Sequence, residues 1–316
     1  RSTLFPYTTL FRSPYRGRYS SCLKKKRGEW GELSEVCRVA AKTLAVTLLT
    51  LPGIAAGAAQ HKMRSGAGNV TQERVLTSGG DLSNWLLHGR TFQDQRYTPA
   101  EQINQKNIHE LSLAWYTDIP TQDGLIAAPI VVDGVMYISA PLSKVYALDA
   151  TSGQIKWSYD PQVKLDTNYM VSFGARSNRG VAVWEGKVIV GTADCRLIAL
   201  DANTGTALWD VKACDSKNWY YKNAAPRVGG GMVFSGTSGS EVGVRGLVDA
   251  YDANTGKRLW RFYTVPKPQG PQENAALEMA AKTWTGGGEK YGGGTTWDAM
   301  TYDRSEEHTS ELQSPI

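Results

Sequence analysis

Ser235–Trp260 reads SGTSGSEVGVRGLVDAYDANTGKRLW. It opens in a small-residue turn that sets one carboxylate, Glu241, among glycines. It continues as an alternating strand and closes on Ala250, Asp252, Thr255-Gly256 and Trp260. The closing half occurs twice earlier: VYALDATSGQIKW ends at Trp157, and LIALDANTGTALW ends at Trp209. The opening half occurs once. A repeated structural unit therefore carries a site of its own.

The repeats align without gaps as Ala147/Asp149/Gly153/Trp157, Ala199/Asp201/Gly205/Trp209 and Ala250/Asp252/Gly256/Trp260. The tryptophans recur after 52 and 51 residues. A period of roughly 40–50 residues built from short strands is the signature of propeller blades. Val145–Asp149 alternates as a half-buried strand does. The following Asp/Asn/Thr/Gly run supplies a turn, because Asp and Asn tolerate turn geometry and Gly supplies positive φ. A tryptophan at one register in every unit can pack between neighbouring blades with its N–H satisfied. Ahead of each repeat lies a second predicted hairpin: 127–139 turning at Asp133-Gly134, 181–191, and 226–236 turning at 229–231. Each unit therefore holds about four strands.

This pattern resembles the tryptophan-docking repeat of the quinoprotein alcohol dehydrogenases, from about Asp81 to Asp303. The resemblance implies an all-β, eight-bladed β-propeller with pyrroloquinoline quinone (PQQ) on its axis. A chain of roughly twice this length closes the ring in that family. This chain is expected to hold about half the blades. Arg96-Tyr97-Thr98-Pro99, Gln102-Ile103-Asn104 and Ala114-Trp115 resemble the family's lead-in segment, which contributes a strand to the last blade.

The ends read differently. Leu4–Ser13 (LFPYTTLFRS) and Arg304–Pro315 (RSEEHTSELQSP) resemble in-frame translations of sequencing-adapter DNA. The expected organisation is a non-native leader over 1–37, a signal peptide over 38–59 and a flexible mature N-terminus over 60–80. A partial propeller over 81–303 and an adapter-like tail over 304–316 complete it. The signal peptide is read from basic Arg38 and Lys42, the short apolar run Thr43–Leu51, the Pro52-Gly53 break and the small residues at 56–58. It predicts export to the periplasm. The net charge of +5 belongs to the ends, for 61–303 holds 24 Lys and Arg against 24 Asp and Glu. No basic surface argues for nucleic acid. Export permits disulfides. Cys195 and Cys214 flank the second repeat hairpin almost symmetrically, and antiparallel strands would bring them opposite each other. A disulfide is predicted, with two buried thiols as the other reading.

Within the resemblance, Ser238–Gly246 (SGSEVGVRG) carries the chemistry. Glu241 matches a calcium-ligating glutamate, a hard oxygen ligand of the kind calcium requires. A lanthanide could take the same ligand. Ser238, Gly239 and Ser240 match positions that meet PQQ. Trp297, in GGGTTW, matches the stacking floor beneath it. Arg179 matches a PQQ-contacting arginine, a cation suited to carboxylates. Arg245 reads as structural. The departures are Ile126, where the family has a PQQ-contacting glutamate, and Asn223, where it has a threonine. Ser172–Ala175 replaces a region that carries adjacent cysteines, with Phe173 able to cover the quinone instead. No catalytic base is assigned. In the family it lies beyond Asp303, and neither Asp298 nor Asp303 matches it, so this chain alone is expected to be inactive.

The resemblance implies oxidation of an alcohol, with electrons passing to cytochrome c or a membrane quinone. Two alternatives remain open: a non-catalytic propeller scaffold of the outer-membrane assembly type, and a PQQ-binding sensor. A scaffold needs neither the Glu241 loop nor the GGGTTW run. A sensor would bind PQQ without turnover.

Overall fold

Each repeat turn is folded by its own aspartate. Asp201 Oδ1 accepts from the backbone N–H of Asn203 at 2.9 Å and of Thr204 at 2.8 Å, and the Gly205 N–H returns to the Asp201 carbonyl at 2.8 Å. Asp252 does the same for Asn254 and Thr255. The turns leave the flanking strands antiparallel. In this computed structural model the described residues are 66–165, 169–284, 292–298 and 300–303. The expected leader, signal peptide and adapter-like tail lie outside them, as do 285–291 of the glycine-rich run.

Three four-stranded antiparallel sheets follow one another, each ordered as its sequence runs. The first holds β1 (Ile130–Val132), β2 (Val135–Ser139), β3 (Val145–Asp149) and β4 (Ile155–Tyr159). The second holds β5 (Ala182–Trp184), β6 (Lys187–Gly191), β7 (Arg196–Asp201) and β8 (Ala207–Lys212). The third holds β9 (Arg227–Gly229), β10 (Met232–Gly236), β11 (Leu247–Asp252) and β12 (Arg258–Tyr263). The predicted first hairpins close at Val132 opposite Val135, Trp184 opposite Lys187 and Gly229 opposite Met232. In every sheet the first strand is buried throughout, while the fourth carries exposed positions along its length. This is the meander of a propeller blade.

The repeat tryptophans join the blades. Each stands opposite the repeat alanine: Ala147 faces Trp157, Ala199 faces Trp209 and Ala250 faces Trp260. The indole N–H then donates into the next blade's turn, from Trp157 to the Ala202 carbonyl at 3.1 Å and from Trp209 to the Ala253 carbonyl at 3.3 Å. Trp115 docks onto the first blade in the same way, donating to the Ala150 carbonyl at 3.3 Å. It is a fourth tryptophan of the series, supplied by the lead-in segment. Trp260 packs on Phe234, is 44% exposed and meets no following blade among the described residues. Beyond the third blade, the Arg227 guanidinium donates to the Met300 carbonyl, and the Tyr302 ring lies against Gly229, Phe92 and Phe234. The stretch 300–302 thus runs along β9.

Of the polar stretch 60–80, the described residues 66–80 carry more structure than their composition suggests. Helix α1 (Gln72–Thr77) is capped by the Thr71 hydroxyl. Val70 and Val75 are buried in the core, and Arg74 makes paired hydrogen bonds to Asp133 at 2.8 and 2.5 Å. Two apolar side chains and one arginine fork are enough to tie down a short, glycine-flanked helix. Two further helices are α2 (Tyr169–Ala175) and α3 (Ala275–Thr283), the latter capped by Asn274. Cys195 and Cys214 form the predicted disulfide, with Cα atoms 4.9 Å apart. No helix among the described residues is long and apolar enough to cross a membrane.

Candidate cofactor and metal site

Glu241 lies in a single 3-10 turn, Ser240–Val242, between Gly239 and Gly243, whose φ values are 118° and 73°. Those left-handed positions are open to glycine and costly to other residues. They lift Ser240, Glu241 and Val242 out of the sheet to an exposed crest. The stretch 292–297 zips along the same loop. Gly246 N–H donates to the Gly293 carbonyl at 2.8 Å, and Gly293 N–H to the Val244 carbonyl at 2.9 Å. The Thr296 hydroxyl donates to the Leu247 carbonyl at 2.8 Å, and the Ser240 and Thr295 hydroxyls hydrogen-bond each other. A Cβ added at Gly236 would come within 1.9 Å of Thr296 Oγ1, so this approach requires glycine. The zip delivers Trp297, which is 43% exposed.

Arg179 places its guanidinium carbon 4.5 Å from the Trp297 ring centroid. That cation–π contact covers one face of the expected floor. A flat cofactor would therefore take the other face or move the guanidinium to its own edge. The Arg179 backbone is fixed on both sides, with its N–H donating to the Asn223 carbonyl at 2.9 Å and its carbonyl accepting from Ala128 at 3.2 Å. Asn223 is buried and spends its side chain on protein partners, accepting from the Ser238 hydroxyl at 2.9 Å and donating to Ser177 at 3.4 Å. The structure thus gathers Arg179, Asn223, Ser238, Gly239, Ser240, Glu241 and Trp297 around one crest. Ile126 is 51% exposed, two residues before the Ala128 contact. Phe173 is 48% exposed on α2 and stacks with Tyr169 at 6.5 Å. Arg245 is structural: it forks onto Glu273 at 2.7 and 2.9 Å and donates to the Val265 carbonyl, which clamps the stretch 265–271 (VPKPQGP) against the sheet.

Three neighbours carried no signal in the sequence. Tyr221 is 3% exposed, its ring pressed against Gly174 of α2 and its carbonyl accepting from the Ser238 N–H at 2.9 Å. Burial first, then the Glu241 charge, pushes its phenol up. Lys222 is fully enclosed and donates to the Gly236 carbonyl at 2.6 Å and to Ser235 at 3.1 Å. Burial pulls its ammonium down to about 8. Thr237 is buried beside Ser238.

Two donors here are orphaned. Arg179 Nη1 and Thr237 Oγ1 are buried with no hydrogen-bond partner. An unpaired buried polar atom is costly, and native structures keep few of them. A ligand bearing carboxylate or carbonyl oxygens would satisfy both. The residues fit such a group. For a cation, Glu241 supplies one exposed carboxylate. Among the described residues no three His, Cys, Asp or Glu side chains gather. Further oxygen ligands would have to come from the cofactor or from elsewhere in the protein.

A β-propeller with a polar crest beside the inner strands defines the class. The chain belongs to the PQQ-dependent glucose/ethanol/alcohol dehydrogenase β-propeller family, which matches residues 85–308. It is 48% identical over 267 residues to quinohemoprotein alcohol dehydrogenase ADH-IIG of Pseudomonas putida, covering 83% of this chain and 36% of that protein. The solved structure of the Pseudomonas putida HK5 enzyme superimposes with a TM-score of 0.71, over 76% of this chain and 35% of that one. The dehydrogenase subunit of an alcohol dehydrogenase (quinone) from Gluconacetobacter polyoxogenes is 42% identical over 74% of this chain and 33% of its own. A europium-containing methanol dehydrogenase superimposes with a TM-score of 0.64 at 35% identity, over 74% of this chain and 42% of that one. The chain spans about a third of the length of the curated relatives it matches.

Proposed function

We propose that this chain is the PQQ-binding part of an eight-bladed, metal-dependent dehydrogenase that oxidises an alcohol and passes the electrons to cytochrome c or a quinone. The observation that carries this reading is the pair of orphaned buried donors, Arg179 Nη1 and Thr237 Oγ1, in the same cluster as Glu241. PQQ, when bound, supplies the two-electron acceptor, and a calcium or lanthanide ion beside it supplies Lewis acidity. Arg179 would pair with a cofactor carboxylate, charge against charge. Thr237 would donate to its edge, and Ser238 and Ser240 would border it. Trp297 would offer a ring face, and Glu241 would hold the cation. Asn223 acts on the cofactor indirectly, because its amide already holds Ser238 and Ser177. The names of the quinohemoprotein and quinone-linked relatives support the proposed acceptors. The Cys195–Cys214 bridge and the signal-like run at 38–59 support a periplasmic location.

The test is equilibrium dialysis of PQQ against the completed protein, with and without calcium, for the parent and Glu241→Ala. Binding should require calcium and should weaken about tenfold or more in the variant. Binding that ignores both calcium and Glu241 overturns the site assignment. No binding at all returns the chain to the scaffold reading.

A further inference from the structure

Gly236 is the junction of the cofactor site. It ends β10, and the crest loop leaves from it at Thr237. On one side Thr296 packs where a Cβ would stand, which seats the stretch leading to Trp297. On the other side the Lys222 ammonium donates to the Gly236 carbonyl at 2.6 Å and to the Ser235 hydroxyl at 3.1 Å. Asn223 accepts from the Ser238 hydroxyl at 2.9 Å, and the Ser238 N–H donates to the Tyr221 carbonyl at 2.9 Å. Residues 235, 236 and 238 are thus each held by the segment 221–223. Thr237 lies between them, 1% exposed, with its hydroxyl unpartnered.

A lysine costs stability in this place. It is 1% exposed, and both of its hydrogen-bond partners are neutral. The Asp249 carboxylate that could balance it is held by Arg261 and Tyr251. Buried ions are often replaced by apolar side chains of similar volume with no loss of stability. What an apolar side chain cannot supply is a donor to two oxygens at the root of the loop. The ammonium has three donors, and a neutral amine still has two. The benefit is geometric. Holding the Gly236 carbonyl fixes the plane of the peptide that enters Thr237, and a β-branched side chain on a fixed backbone has few rotamers.

We infer that Lys222 is a positioning residue for the cofactor site: by holding the Gly236 carbonyl it fixes the peptide that aims the Thr237 hydroxyl at the cofactor. This rests on the reading of the crest as a PQQ site. Lys222 touches no cofactor in this role. It acts through Thr237, so its effect on binding must vanish when that hydroxyl is gone.

Two measurements on the completed protein test it. The first needs no cofactor. It is the order parameter of the Thr237 methyl group, from protein carrying 13C-methyl threonine, with the signal assigned by its loss in Thr237→Val. Lys222→Met keeps the bulk of the side chain and loses the donors. It should lower that order parameter and leave unchanged that of Thr192, a buried threonine held by its own hydrogen bonds. The second is PQQ affinity by equilibrium dialysis in calcium. Thr237→Val should weaken it about tenfold, the loss of one hydrogen bond to a charged acceptor, and Lys222→Met should do so by a similar factor. The double variant should bind no more weakly than Thr237→Val alone, since partners acting as a unit are non-additive. Lys222→Gln, whose amide ends one bond short of the ammonium, should fall between Lys222→Met and the parent in both measurements, and it carries the test if Lys222→Met does not fold. Tyr137→Phe loses a hydrogen bond to the Ala202 carbonyl in the joint between the first two blades. It should lower the thermal midpoint and change neither readout. An unchanged Thr237 methyl in the lysine variants, or losses of affinity that simply add, overturns the positioning role. A parent that binds no PQQ overturns the site reading beneath it and reduces Lys222 to a structural pin.

Discussion

Trp157 donates its indole N–H to the Ala202 carbonyl at 3.1 Å, and its ring lies over Gly205, where an added Cβ would come within 2.6 Å. The sequence motif thus makes a joint between two blades. The tryptophan belongs to one blade, and the alanine and glycine belong to the turn of the next. Gly205 has φ +74°, and Gly134, in another turn, has φ +80° with nothing within 4 Å of its Cβ position. Gly134→Ala should cost only backbone strain, about 1–2 kcal/mol. Gly205→Ala should cost that plus the overpacking of a ring that cannot retreat, a further 1–3 kcal/mol or so. Urea midpoints of the two variants check this. Equal losses would mean that the ring yields and the joint is soft.

The Cys195–Cys214 bridge should matter for the site as well as for stability. It closes a separation of 19 residues, which loop-closure arithmetic converts to about 3 kcal/mol. The Cys195 sulfur also lies 3.3 Å from the Tyr220 carbonyl, one residue before Tyr221 pairs its backbone with Ser238 of the Glu241 loop. The paired change Cys195→Ser and Cys214→Ser should lower the unfolding free energy read from urea melts by that amount. It should also speed proteolytic cleavage within 215–220, where Trp219 already takes a left-handed φ of 68° and is 45% exposed. Unchanged cleavage there would confine the bridge to a stability role.

The blades were legible because their information is local. Asp201, Gly205 and Trp209 fall within nine residues, and the same triplet repeats at one spacing. The disulfide was legible for the same reason, since its cysteines bracket one hairpin. Trp115 lacks the Asp and Gly that mark the other tryptophans, so its docking on Ala150 appears only in three dimensions. Helix α2 has a glycine in it and β-branched and aromatic side chains around that, a composition that does not favour helix. At the crest, Arg179 and Trp297 are 118 residues apart, and Tyr221 and Glu241 belong to separate loops. No pattern along the chain links them. The resemblance could name Glu241, Arg179 and Trp297, but it could not show that Arg179 rests on Trp297 or that Asn223 faces protein.

Lys222 offers a measurement that isolates one buried charge. Burial is the largest influence on its ammonium and lowers it; Asp249 raises it and Arg261 lowers it, leaving it at about 8 against the ordinary 10.5. Asp249 is itself fully buried and held by the Arg261 fork at 2.7 and 2.8 Å and by the Tyr251 hydroxyl at 2.8 Å, so its charge is largely committed elsewhere. Between pH 8 and 10.5 the unfolded chain keeps the Lys222 proton and the folded chain releases it. The unfolded state then binds more protons, so stability must rise with pH across that window. Below pH 8 both states are charged and the burial cost is felt in full. Relative to Lys222→Met, the parent should gain roughly 2 kcal/mol between pH 7 and 9.5. Paired urea melts at several pH values check this, because titrations elsewhere in the chain are common to both proteins and cancel. A flat difference would mean that the hydrogen bonds to the Gly236 carbonyl and Ser235 hold the ammonium charged in the folded state, and that Lys222 is a structural cation bolting the site loop to its sheet.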